Sequence, residues 1–179
     1  TLPGWQLARH YQPARAVGGD FYDFIELTDG RLVLIVGDVT DKGVPAALLM
    51  ATVRSFLRSA AQRLVAPGLV LRRANEHLCG DIPPNMFVTC LYAVLDPESG
   101  RLWYANAGHD PPYARREGQV EELRAIGVPL GLMPDIEYQE HELVLEPGDS
   151  VLLYSDGLVE AHNSGREMFG FPRLQAAVA

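Results

Sequence analysis

At 179 residues, with 47% hydrophobic and 21% charged side chains, the chain has the balance of one globular domain with a substantial core. Its formal charge of −8 argues against nucleic acid or an anionic membrane as the main partner. No apolar run reaches the roughly 18–20 residues of a membrane span, and the start at Thr1 lacks the basic and apolar regions of a signal peptide. Cys79 and Cys90 sit among apolar neighbours without metal-ligand spacing, so a reducing cytoplasm is the expected setting. The absence of an initiating Met suggests a piece of a longer protein.

Strand-like segments dominate. Trp5–Gln12 alternates and reads as an opening strand. Gly19–Leu27 and Arg31–Asp38 flank Thr28-Asp29-Gly30, a hairpin turn. Val44–Leu64 then predicts a helix, with Pro45 where a helix can begin and enough apolar residues in its first turns to be largely buried. Pro67–Leu78 predicts an amphipathic helix with Leu71, Ala74 and Leu78 on one face. Met86–Leu95 and Arg101–Ala107 flank a second turn at Asp96–Gly100, and Pro112–Arg116 pairs with Val120–Leu123 around Glu117-Gly118. Tyr138–Leu145 and Ser150–Ser155 flank Glu146-Pro147-Gly148-Asp149, and a short helix begins near Phe171. Leu32–Val36 and Val151–Tyr154 are apolar on both faces, so both faces need cover. An α+β architecture answers that need: an antiparallel β-sandwich flanked by helices, within a single domain spanning residues 1–179.

The chemistry lies where aspartates interrupt buried strands: Asp20 and Asp23 in one, Asp38 and Asp41 after another, and Asp156 after a third. If Thr28-Asp29-Gly30 is a three-residue loop with Gly30 left-handed, Leu27 pairs with Arg31 and Asp20 falls opposite Asp38. A two-residue loop would place them on opposite faces. Paired carboxylates about 5 Å apart repel unless something positive lies between them. Lys42 is the only cation nearby in sequence, so a divalent metal is the natural solution. Oxygen ligands without His or Cys favour Mg²⁺ or Mn²⁺ over Zn²⁺. The plainer alternative is that each Asp serves as a turn or cap residue, with Asp38 as a helix N-cap.

Gly18-Gly19-Asp20-Phe21-Tyr22-Asp23, Gly37-Asp38-Val39 through Gly43-Val44-Pro45-Ala46-Ala47-Leu48, and Ser155-Asp156-Gly157 resemble the PPM metal-dependent serine/threonine phosphatases. The similarity is to the bacterial sporulation and stress-response branch that controls sigma factors. Met86-Phe87-Val88-Thr89, Ala105-Asn106-Ala107-Gly108-His109 and Gly127-Val128-Pro129-Leu130-Gly131 extend it from about Ala8 to Leu174.

The resemblance implies a phosphoserine/phosphothreonine phosphatase with two Mn²⁺ or Mg²⁺ ions at one end of the sandwich and a bridging water as nucleophile. Asp38 would bridge both ions, the Val39 carbonyl and Asp20 would serve one, and Asp156 the other. Asp23, Asp41 and Gly157 are secondary candidates, Asp41 standing where many members have Gly. The implied substrate is a phosphorylated anti-sigma-factor antagonist. The implied setting is a cytoplasmic output domain behind an N-terminal sensory or receiver domain, with the two helices as switch and possible homodimer surface.

The family's later Asp-Asp-hydrophobic-Thr segment is not found before Ala179. The competing expectation is therefore a phosphatase-like signalling module with weak or no turnover. His109 is a further catalytic candidate, though Asn106–His109 reads equally well as a turn held by side-chain hydrogen bonds. Trp5 and Trp103 suit core or edge cover, and Arg54, Arg58 and Arg63 suit a solvated helix face.

Overall fold

The computed structural model describes residues 2–13, 18–83 and 85–179. Its elements run β1 (Phe21–Glu26), β2 (Leu32–Val39), α1 (Val44–Ala61), α2 (Pro67–Leu78), β3 (Val88–Leu95) and β4 (Arg101–Ala107). They continue with β5 (Tyr113–Arg116), β6 (Gln119–Glu122), β7 (His141–Val144), β8 (Ser150–Leu152), α3 (Asp156–Val159) and α4 (Gly170–Val178). A five-stranded antiparallel sheet of order β1-β2-β3-β4-β7 stacks on a three-stranded sheet of order β6-β5-β8.

Alternation along β2 shows how the layers arise. Val33, Ile35 and Val39 face a core closed by Val53 and Leu57 of α1 and Val70 and Leu71 of α2. Leu32 and Leu34 face the other way, into a core shared with Ala114 of β5 and Leu123. The outer face of the small sheet is covered in turn by Leu174 and Val178 of α4. The sandwich flanked by helices is thus the observed architecture, and the two-faced apolar strands are covered on both sides as their sequences require.

The first hairpin is the one that matters for function. Gly30 has φ 87°, the left-handed conformation that glycine adopts without a Cβ penalty, and the Leu27 amide donates to the Arg31 carbonyl at 2.8 Å. The three-residue loop is therefore the one formed, with Phe21 opposite Gly37 and Glu26 opposite Leu32.

Several expectations need correction. Trp5–Gln12 forms no strand; it is tied down by side chains instead, with Trp5 Nε1 donating to the Pro97 carbonyl at 3.0 Å. Glu146–Asp149 is a turn, but β7 pairs with β4 and β8 with β5, so the chain changes sheets there. α1 is not largely buried: only Ala46, Val53, Leu57 and Ala61 are, while Val44 and Leu48 are about two-thirds exposed. Its buried residues form one stripe, because only one side of the helix meets the sheet. No helix among the described residues is long and apolar enough to cross a membrane.

Arg54 and Arg58 are not simply a solvated face. Both bind Asp23, which is only 4% exposed, and Arg58 Nε donates to its Oδ2 at 3.0 Å. The pair locks α1 onto β1 from the helix side of the sheet. Removing both guanidinium groups strands a buried carboxylate, whereas removing the charge as well does not. The Arg54→Ala/Arg58→Ala double variant is expected to lose about 2–4 kcal/mol of unfolding free energy in urea titrations. Adding Asp23→Asn should return a large part of it.

Candidate metal centre

Asp20 precedes β1 and Asp38 is the penultimate residue of β2. Continuing the hairpin register by one residue sets them side by side on the face turned toward the small sheet. Asp156 arrives from that other sheet, since β8 ends at Leu152 and the chain runs on to open α3 at Asp156. One carboxylate oxygen from each of Asp20, Asp38 and Asp156 can be chosen so that all lie within 4.8 Å of one another. Ser155 Oγ donates to Asp20 Oδ2 at 3.3 Å, and Tyr11 Oη donates to the Asp20 backbone carbonyl at 3.2 Å.

Among the described residues, the electrostatics are those of a site whose carboxylates have no ion-pair partner. Burial, the adjacent Asp20 carboxylate and Asp156 together push the Asp38 carboxyl up to about 7. Burial, then Asp156 and Glu160, raises Asp110 as well. Among the described residues no salt bridge reaches Asp20, Asp38 or Asp156. The donor set is all oxygen, which suits a hard divalent cation.

The backbone is shaped to the same end. A Cβ on Gly19 would lie 2.5 Å from the Val39 carbonyl oxygen and 3.0 Å from Asp38 Oδ1. Glycine at that position keeps open the space onto which both oxygens face. These are the residues that can hold a metal: the three aspartates and the Val39 carbonyl.

The secondary candidates separate. Asp23 lies on the opposite face of β1, committed to Arg54 and Arg58, so it is not part of this cluster; three residues from Asp20 means the other face of a strand. Asp41 is exposed, has φ 76°, and its Oδ1 accepts from the Lys42 amide at 2.8 Å, which makes it a loop residue. Gly157 is beside the cluster: a Cβ there would be 4.0 Å from Asp20 Oδ2. Asp38 is not the N-cap of α1, a position held by Gly43. His109 is buried, its backbone N–H and C=O both bound by the Asn106 side chain at 2.7 and 2.8 Å, as a side-chain-held turn requires.

Sequence reasoning missed Tyr11 and Ser155 as supports. Ser155 was legible as the neighbour of Asp156; Tyr11 carried no signal, because its contact depends on how the N-terminal segment crosses the sheet.

A family model described as Stage II sporulation protein E (SpoIIE) matches residues 28–179. The chain belongs to the SpoIIE family. Asp38 and Asp156 fall within the matched residues and Asp20 just before them. The chain is 32% identical to Protein IcfG of Synechocystis over 203 residues, covering 97% of this chain and 32% of that protein. It is 32% identical to the phosphoserine phosphatase RsbU of Bacillus subtilis over 150 residues, covering 83% of this chain and 44% of RsbU. The structure of the SiaA-PP2C domain of Pseudomonas aeruginosa superposes with a TM-score of 0.76 at 26% identity, covering 92% of this chain and 66% of that one. The PPM-type resemblance therefore holds, and the fold is that of the PP2C phosphatases. The chain spans less than half the length of IcfG and RsbU.

The raised Asp38 pKa has a consequence for stability without metal. The unfolded chain releases this proton near pH 4, while the folded one keeps it until about 7. Between those values the folded state holds the extra proton, so this group makes stability fall as pH rises. In EDTA, Asp38→Asn should melt about 2–4 °C above the wild type at pH 8, with the gap closing toward pH 5. Thermal melts across that range check the order.

Proposed function

We propose that this chain is a metal-dependent phosphoserine/phosphothreonine protein phosphatase domain, with Mn²⁺ or Mg²⁺ held by Asp20, Asp38, Asp156 and the Val39 carbonyl. The observation that carries the reading is the convergence of three carboxylates from two sheets, within 4.8 Å, with no salt bridge among the described residues to neutralise them. Such a cluster is electrostatically costly by itself and is made favourable by a bound cation. A divalent ion there supplies a Lewis acid that acidifies water and neutralises charge on phosphoryl oxygens.

The family resemblance implies water as the attacking group, and the cysteines offer no competing nucleophile. Burial raises both cysteine thiols, Cys90 most strongly, which removes the thiolate that a covalent route needs. Asp38 feels both other carboxylates, and by the family resemblance it would be the ligand shared between two ions. Gly19 allows its backbone to lie close against the Val39 carbonyl and Asp38, where a side chain would not fit.

RsbU is named a phosphoserine phosphatase, and the likeness to it supports a phosphoserine substrate; the sigma-factor setting is what the family resemblance implies. The substrate we infer is a phosphorylated anti-sigma-factor antagonist in the cytoplasm. The short share of IcfG and RsbU that the chain covers supports an output domain working behind a sensory or receiver domain. α1 and α2 are its candidate switch surface and a possible homodimer contact.

The wild-type chain should hydrolyse p-nitrophenyl phosphate with Mn²⁺ and lose that activity in EDTA. Asp20→Asn, Asp38→Asn and Asp156→Asn should each lower kcat/KM by about 100-fold or more, or about 2.7 kcal/mol. Failure of the folded protein to turn over either this ester or a phosphoserine protein at saturating Mn²⁺ would leave the binding-module reading in its place. Gly19→Ala should act through Mn²⁺ affinity, because its methyl group displaces the Val39 carbonyl; calorimetric titration with Mn²⁺ measures that loss directly.

A further inference from the structure

Two sheets contribute to the carboxylate cluster, and nothing in their hydrogen-bond ladders joins them. Asp20 and Asp38 are set by pairing within the large sheet, whereas Asp156 depends on where the chain leaves β8 of the small one. Apolar packing between sheets is non-directional and fixes their separation better than their sliding. The distance from Asp38 to Asp156 therefore needs a directional tie.

His109 supplies one. Its Nδ1 lies 2.9 Å from Thr89 Oγ1, and its Nε2 lies 3.0 Å from the Tyr154 carbonyl oxygen. A carbonyl can only accept, so Nε2 carries the proton and Nδ1 accepts from the threonine hydroxyl. Burial lowers the imidazole pKa, which keeps the ring in this neutral form. Thr89 is the direct cross-strand partner of Asp38, and Tyr154 stands two residues before Asp156. The ring is held rigidly in turn, because the Asn106 side chain clamps the His109 backbone at both its N–H and its C=O.

We propose that Thr89 and His109 are positioning residues that set the spacing of Asp38 and Asp156, and hence the affinity of the metal centre. The inference rests on the reading of that cluster as a metal site. Neither side chain is among the groups that would hold the cation; each acts on the backbone beside a carboxylate, Thr89 opposite Asp38 and His109 at Tyr154, two residues before Asp156. Groups that orient metal ligands in this way typically change affinity by about 10–100-fold when removed.

The test is calorimetric titration of the metal-free chain with Mn²⁺, alongside its thermal melt in EDTA. Thr89→Val keeps the shape of the side chain and removes its hydroxyl, and His109→Phe keeps the bulk and removes both ring contacts. Each should weaken Mn²⁺ binding by about ten-fold or more. His109→Gln, which retains a donor within reach of the Tyr154 carbonyl, should recover part of that loss, and kcat at saturating Mn²⁺ should change far less than the Mn²⁺ requirement. A lowered melting temperature with wild-type Mn²⁺ affinity in Thr89→Val and His109→Phe overturns the proposal, because it marks a purely structural role. If His109→Phe fails to fold, Thr89→Val decides alone. Asp38→Asn is the control: if it binds Mn²⁺ as the wild type does, the metal reading itself fails and the positioning role falls with it. If it loses binding while the other variants keep it, only the positioning role is lost.

Discussion

Carboxylates held within 4.8 Å of one another repel, and this protein holds three of them there with its backbone. The price appears in Asp38, whose proton is retained to about pH 7 by burial and by its two neighbours. Everything around the cluster follows from that constraint. The Gly30 turn fixes the register that sets Asp20 beside Asp38, and Gly19 keeps the approach to the Val39 carbonyl open. Ser155 reaches across to Asp20, and the large sheet is braced from its other face by α1 and α2. A fold that keeps like charges together, with no ion pair to them among the described residues, fits the proposal that a cation from solution completes the cluster.

Among the described residues, two arginines meet a different aspartate. Arg54 and Arg58 neutralise Asp23 on the helix side of the same strand that Asp20 precedes. Two acidic residues three positions apart thus have opposite surroundings: Asp23 is held in ion pairs, whereas Asp20 joins the carboxylate cluster proposed to bind metal. That division also couples α1 mechanically to the strand leading into the site. Membership in the SpoIIE family, with RsbU among its similar proteins, gives the arrangement its functional setting.

Much of this was legible in the sequence, and the reasons it was or was not are physical. The first hairpin could be read because Gly30 admits the left-handed turn residue that selects one register, and register alone places two aspartates side by side. The layered architecture followed from strands apolar on both faces. Asp156 was less accessible: it enters from a different sheet, and no local pattern states how two sheets dock. Asp23, a secondary candidate, sits three residues from Asp20, an offset that puts it on the opposite face, where Arg54 and Arg58 hold it. Trp5–Gln12 alternates like a strand, but alternation records which side chains find cover, and here Trp5 finds it through Pro97 without a ladder. The apolar start of α1 suggested burial on all sides, whereas the fold offers it a partner on one.

The central claim is that Asp20, Asp38 and Asp156 form one divalent-metal centre. Anomalous diffraction at the manganese edge, from crystals of this chain grown with Mn²⁺, tests it most directly. The account predicts strong anomalous density within bonding distance of Asp38 and of at least one of Asp20 and Asp156, absent from crystals of Asp38→Asn grown identically. Well-ordered wild-type crystals grown with saturating Mn²⁺ that show no anomalous density at the three carboxylates would contradict it.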